Sequence, residues 1–203
     1  MATVALAAPM PVTAARPTFH CTKAQGTVEA LVCGDPALAA RDRELAAVYK
    51  TVAARAKGKQ ATTLRAEQRG WVKGRNECWK AQDTTWITAT WTVNSVTACI
   101  DAQYRLRTSE LQATWHLIAP TTVAYACQND PANEVVANYF ATDPPTIRLE
   151  RGDRTITLWG VGETSLRTYE GPNVSAVHKA PTLQVNWLDT NTGKTEALRC
   201  SAR

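Results

Sequence analysis

Thr146-Ile147-Arg148-Leu149-Glu150-Arg151-Gly152-Asp153-Arg154-Thr155-Ile156-Thr157-Leu158-Trp159 decides how the second half of the chain folds. Residues on either side of Arg151-Gly152-Asp153 lean toward β-branched and aromatic types, and a polar turn with glycine between such runs reads as two strands. The pattern extends outward through Glu134 to Ala141, Val174 to His178 and Thr182 to Leu188. Asp143-Pro144-Pro145, Gly171-Pro172-Asn173 and Asn191-Thr192-Gly193 supply the intervening turns. Several short strands joined by tight turns predict an antiparallel barrel or sandwich, with Cys127 in its first strand and Cys200 in its last.

Upstream the period changes to that of helices. Asp35-Pro36 is an N-cap followed by proline at the first helical position, and Leu38, Leu45, Val48, Tyr49 and Val52 then share one face. Gly58 lies at the end of this helix. A second helix is predicted from near Thr63, with Leu64, Trp71 and Val72 on one side and Arg65, Arg69 and Arg75 mostly on the other. A third runs from Val96 to Leu111, and a short one lies between Thr27 and Cys33. Asp83 to Thr97, rich in threonine and carrying Trp86 and Trp91, reads as a loop or short hairpin. His116 to Thr122 reads as a linker between two domains.

The six cysteines (Cys21, Cys33, Cys78, Cys99, Cys127 and Cys200) form no CxxC pair, and His20, His116 and His178 stand far apart. A zinc site needs closely spaced ligands, so no metal or other cofactor is expected. An even number of widely spaced cysteines fits disulfides in an oxidising compartment. Sequence alone does not choose among the pairings. The pairs 21–33, 78–99 and 127–200 are expected because each brackets a structural unit. Residues 1–19 read as a leader or residual signal segment, apolar from Val4 to Ala15 but interrupted by Pro9 and Pro11. Thr18, Phe19 and His20 form no lipobox before Cys21. The protein is expected to be secreted, periplasmic or associated with the cell envelope.

Charge divides the chain. Up to His116 there are 15 Lys and Arg against 9 Asp and Glu; from Leu117 onward the count is 8 against 9. The basic character therefore belongs to the helical half, and two modules with different partners are expected. No apolar run approaches the ~20 residues that span a bilayer.

Two resemblances now enter. Cys21-x11-Cys33, Asp35-Pro36-x-Leu38-Ala39-x2-Asp42-x2-Leu45, Leu64-Arg65-Ala66-Glu67-Gln68-Arg69-Gly70-Trp71 and Arg75-Asn76-Glu77-Cys78 resemble the LprI-like N-terminal domain family, disulfide-linked helical modules of the bacterial envelope. Tyr125-x-Cys127, Asn138-Tyr139-Phe140, Asp143-Pro144-Pro145, Leu149-Glu150-Arg151-Gly152-Asp153-Arg154, Tyr169-Glu170-Gly171 and Leu198-Arg199-Cys200 resemble the MliC family, membrane-bound inhibitors of C-type lysozyme. Together they resemble LprI-type lysozyme inhibitors. They imply an α+β chain of two segregated domains: a small disulfide-linked helical bundle (20–115), a linker (116–122) and an antiparallel eight-stranded β-barrel (123–203).

MliC proteins insert a loop into the lysozyme cleft. On that resemblance, Glu163-Thr164-Ser165-Leu166-Arg167-Thr168-Tyr169 takes the place of the inserted loop, keeping Ser165 and Tyr169 but losing both family glycines. Thr168 replaces the loop lysine, and Arg167 sits one place earlier. In the second motif Lys179 is kept and the glycine after it is lost. Lysozyme works with one protonated and one ionised carboxyl group. A plug for its cleft needs a cation for the ionised group and a small hydroxyl for the other. Ser165, Lys179, Arg167 and Tyr169 are the expected contact residues, with a host lysozyme or the bacterium's own muramidase as partner. A barrel charge balance of −1 is compatible with binding to a basic lysozyme, whereas +6 on the bundle slows the encounter.

A second reading is a non-inhibitory envelope module whose basic bundle (Arg65, Arg69, Lys73, Arg75, Lys80) docks cell-wall polymer or an anionic membrane surface. An enzyme is not expected: Ser165 with His178 lacks the context of a nucleophile elbow. Nucleic acid is not an expected partner, because no RNA- or DNA-binding pattern accompanies the basic charge. Trp71, Trp79, Trp86, Trp91 and Trp115 are expected to pack in the core or at the hinge, with Trp86 and Trp91 the candidates for an exposed aromatic surface.

Overall fold

The computed structural model describes residues 16–82, 86–87, 92–161, 167–189 and 192–203. Four α-helices come first: α1 (Gly26–Gly34), α2 (Pro36–Arg55), α3 (Gly58–Asn76) and α4 (Val96–Thr114). Asp35 caps α2, its Oδ1 accepting from the backbone N–H of Ala37 at 2.8 Å and of Leu38 at 3.3 Å. Leu38, Leu45 and Val52, two turns apart, are buried against the other helices. The second long helix begins at Gly58 rather than near Thr63. Gly58 has φ +50°, a conformation that favours glycine, so it reverses the chain after α2 instead of merely ending it. Between α3 and α4 lie a 3-10 helix (Glu77–Gln82) and a two-residue ladder pairing β1 (Trp86–Ile87) with β2 (Thr92–Val93). Ser95 then caps α4 by accepting from the Ala98 N–H at 3.1 Å.

Asp42, Tyr104 and Arg75 form a polar chain inside the bundle. The Tyr104 hydroxyl donates to Asp42 Oδ1 at 2.9 Å and accepts from Arg75 Nη1 at 2.7 Å. Asp42 Oδ2 accepts from the Thr18 N–H and hydroxyl, both at 2.6 Å. The Arg75 guanidinium also lies 5.5 Å from the ring centroids of Trp71 and Tyr104. A buried cation and anion linked through one hydroxyl leave few bonding positions unfilled, which is the condition under which such groups tolerate burial.

The chain then forms β3 (Thr121–Cys127), β4 (Asp130–Phe140), β5 (Thr146–Arg151), β6 (Arg154–Val161), β7 (Arg167–Gly171), β8 (Val174–Lys179), β9 (Thr182–Asp189) and β10 (Lys194–Ala202). Every neighbouring pair is antiparallel, and β10 returns to β3 to close an eight-stranded barrel, Cys200 standing opposite Cys127. Its interior takes alternate residues, among them Tyr125, Ile147, Leu149, Leu158, Tyr169 and Leu183, all at most 1% exposed. β7 was not among the expected strands: Arg-Thr-Tyr-Glu-Gly offers one large apolar side chain, too few to show alternation. Disulfides join Cys21 to Cys33, Cys78 to Cys99 and Cys127 to Cys200, the expected pairs. By the loop-entropy argument the last, spanning 73 residues, contributes about 4 kcal/mol.

The bundle packs on the outside of the barrel through α4, which meets β5 and β6. Thr146 and Trp159 point out of the barrel yet are buried. Arg148, also outward, donates to the carbonyl of Thr114 at the end of α4 at 3.0 Å. A cation on the unpaired carbonyls of a helix C-terminus is favourably placed. Asp143, in the corner between β4 and β5, pairs with Arg105 of α4 and lies 3.6 Å from Arg41 of α2. His116 packs edge-on against Phe140 with centroids 5.6 Å apart.

Two stability outcomes are expected. Tyr104→Phe removes the hydroxyl between Arg75 and Asp42 and lowers unfolding free energy by ~1–3 kcal/mol, measured by denaturant titration with disulfides intact; an unchanged midpoint contradicts the role given to the hydroxyl. Gly171→Ala places a Cβ 2.6 Å from the Thr157 carbonyl oxygen. A clash with backbone must move a strand, so this variant is expected to lose ~1–3 kcal/mol in the same titration.

Candidate functional site

Strand direction brings three connections to one end of the barrel. β4 finishes there at Phe140, β6 at Val161 and β8 at Lys179, while β5, β7 and β9 start there at Thr146, Arg167 and Thr182. Arg167 and His178 face each other across the β7–β8 ladder, and Lys179 stands opposite Thr182 across the next. Arg167 and Lys179 are both exposed. Thr182 Oγ1 donates to the Lys179 carbonyl at 2.7 Å, fixing the backbone that carries the ammonium. The register therefore brings these two expected cations to the same end. Ser165 lies outside the described residues.

Tyr169 requires a correction. It is 1% exposed, so its side chain has no surface to offer a partner. Alternation along β7 explains this: Tyr169 stands opposite the buried Ala176 of β8 on the inward face and so fills the barrel interior. There it belongs to a layer of aromatic side chains beneath the opening. Tyr139 packs edge-on to Tyr169 with centroids 6.2 Å apart, lies 4.8 Å from the His178 ring, and shares a 2.9 Å hydroxyl–hydroxyl hydrogen bond with Tyr125. Burial pushes the Tyr139 phenol well above its usual pKa, and its bond with Tyr125 adds to this. Burial also raises Tyr169, while the Arg167 guanidinium opposes it. Tyr169 is thus a core residue at the middle of β7. Sequence reading missed this layer; Tyr125, Tyr139 and Tyr169 at inward positions of β3, β4 and β7 were the available signal, since a buried tyrosine needs a hydroxyl partner.

The basic surface of the bundle is also revised. Arg75 is 4% exposed and held by Tyr104, Asn76 and, at 3.9 Å, Glu29, so it is a core residue and not a docking cation. Lys80 pairs with Glu77 and lies 5.7 Å from the Trp79 ring centroid. Trp79, expected in the packing, is 52% exposed, because the turn after Cys78 carries it outside the bundle. Trp71 donates to the Gln103 carbonyl at 3.2 Å and Trp115 packs against the core, as expected. Trp91 and the side chain of Trp86 lie outside the described residues. Among the described residues, no group of three or more His, Cys, Asp or Glu side chains is arranged to hold a metal ion.

Burial, and secondarily the nearby Arg167, lower the pKa of His178. The fold therefore favours the neutral ring, and the unfolded chain takes up the proton first as pH falls. Stability from this group is complete above the unfolded value of ~6.5 and is lost as pH drops toward the lower folded value. Thermal melts at neutral and mildly acid pH are expected to show a destabilisation that His178→Gln removes; an identical decline in the variant would assign the effect elsewhere.

A family model described as "Lysozyme inhibitor LprI" matches residues 20–111. Comparison with curated proteins and with solved structures yields no match. The matched span includes two disulfides and the Asp42–Tyr104–Arg75 chain, and it ends within α4; the barrel lies beyond it. Residues 20–111, which hold the helices, are therefore similar to the LprI lysozyme-inhibitor family.

Proposed function

We propose that the protein inhibits C-type lysozyme by seating the Arg167–Lys179 end of its barrel over the catalytic cleft. The observation that carries this reading is the strand register, which gathers two exposed cations at the end where β6 hands over to β7. The family of the helical half supports it independently. In this mechanism the Lys179 ammonium meets the ionised cleft carboxylate and the Ser165 hydroxyl meets the protonated one. Arg167 lies at the same end as Lys179. No bond is made or broken; substrate is excluded because the cleft is full.

Three disulfides support an oxidising setting for the working protein, read here as secreted, periplasmic or at the cell envelope. No helix among the described residues is long and apolar enough to cross a membrane.

The test is turnover of C-type lysozyme on cell-wall substrate in the presence of the full chain and of Ser165→Ala/Lys179→Ala. Truncating one member of a desolvated charge pair costs ~2–5 kcal/mol, so the double variant is expected to raise the inhibition constant at least ~30-fold. Arg167→Ala, at the rim, is expected to act mainly on the association rate and its salt dependence. Undiminished inhibition by the double variant moves the contact surface elsewhere, and absence of inhibition by the folded, disulfide-bonded wild type ends the proposal.

A further inference from the structure

On the helical half, α2 and α3 border an open groove of about 500 Å³ lined by Tyr49, Arg65, Gln68, Arg69, Val72 and Lys73. Arg65, Arg69 and Lys73 recur at intervals of four, so they form a row along one face of α3. All three are exposed, and none has a carboxylate partner among the described residues. Arg41, Arg75, Arg107, Arg151 and Arg203, by contrast, are each ion-paired, although they are not the whole of the chain's remaining cations. Among the described residues no acidic side chain lines the groove. Its polar member, Gln68, accepts from Arg107 Nε at 3.1 Å. Tyr49 and Val72, both half-buried, form an apolar floor.

A row of cations alone fits any polyanion. A row of cations beside an apolar floor fits an amphiphile, whose negative headgroup and hydrocarbon lie side by side. We propose that this face of α3 docks the protein on the surface of an anionic phospholipid membrane. Arg65, Arg69 and Lys73 meet the headgroup phosphates while Val72 and the Tyr49 ring settle at the acyl boundary. The docking is independent of the barrel and of the lysozyme reading.

The experiment is cosedimentation of the full chain with phosphatidylcholine vesicles, with or without phosphatidylglycerol, and with soluble dextran sulfate as a polyanion lacking acyl chains. Wild type is expected on the phosphatidylglycerol vesicles alone. Arg65→Gln/Arg69→Gln/Lys73→Gln is expected to lower that partitioning at least ~tenfold, since each surface cation contributes several-fold. Val72→Ser leaves the charge unchanged and is expected to lower it too. Absence of binding to the anionic vesicles, or wild-type binding by the triple variant, overturns the proposal. Equal capture by dextran sulfate together with an unaffected Val72→Ser also overturns it, in favour of a polyanion surface.

Discussion

α4 has no side left for solvent to cover fully, and the rest of the molecule is arranged around that constraint. Ile100, Tyr104 and Leu111 share the face turned to the bundle and are at most 2% exposed. Arg105, Ser109 and Ala113 lie on the opposite face, where the helix meets β5 and β6. Small side chains at 109 and 113 let the helix approach the sheet closely, and both are fully buried. One helix therefore serves two cores. Arg107, buried on the bundle side, donates to Gln68 and Glu110, while its Nη2 lies 3.6 Å from Glu67 without a hydrogen bond among the described residues. A helix buried on both sides ties the position of the barrel to the integrity of the bundle, so substitutions on α4 act on both halves.

The same logic explains the residues that carry the family resemblance. Asp35 closes a helix terminus, Asp42 and Arg75 terminate a buried hydrogen-bond chain, and Trp71 stacks near the guanidinium. None of these side chains is free to meet a ligand through its charge. Breaking such a chain at one member leaves the other buried and unpaired, which costs more than the intact chain contributes. These members of the motif serve the framework, whereas Arg65 and Arg69 of the same motif stay on the surface.

Helices were legible where capping and apolar spacing agreed, as at Asp35-Pro36 followed by Leu38, Leu45 and Val52. Strands were legible where β-branched runs met glycine- or proline-containing turns, as around Gly152. β7 was not, because its fold depends on neighbours on both sides and not on its own composition. Charge was the least legible property. Arg65, Arg69 and Arg75 look equivalent on a helix, yet Arg75 falls about 120° around from Arg69, the middle of the row, and turns inward to a tyrosine 29 residues away. No local pattern announces that partner. Tyr169 misled in the converse way: a residue kept from an interaction motif is kept in the core, beneath the rim it helps to shape.

Of the connections at the candidate end of the barrel, the β4–β5 corner is already committed. Asp143 there is held by Arg105 and lies near Arg41, two cations that Asp101 of α4 also draws together, at 3.0 Å from Arg41 and 3.8 Å from Arg105. The bundle therefore borders this end on one side, while Arg167 and Lys179 stand on strands β7 and β8, away from β5. A partner seated over those cations meets an end whose opposite edge is braced by the bundle. Thr146 and Trp159 are buried on the bundle side, so the brace is a packed contact. Rigid support lowers the ordering cost of association, so under the proposed reading the helical domain contributes to inhibition without touching the cleft.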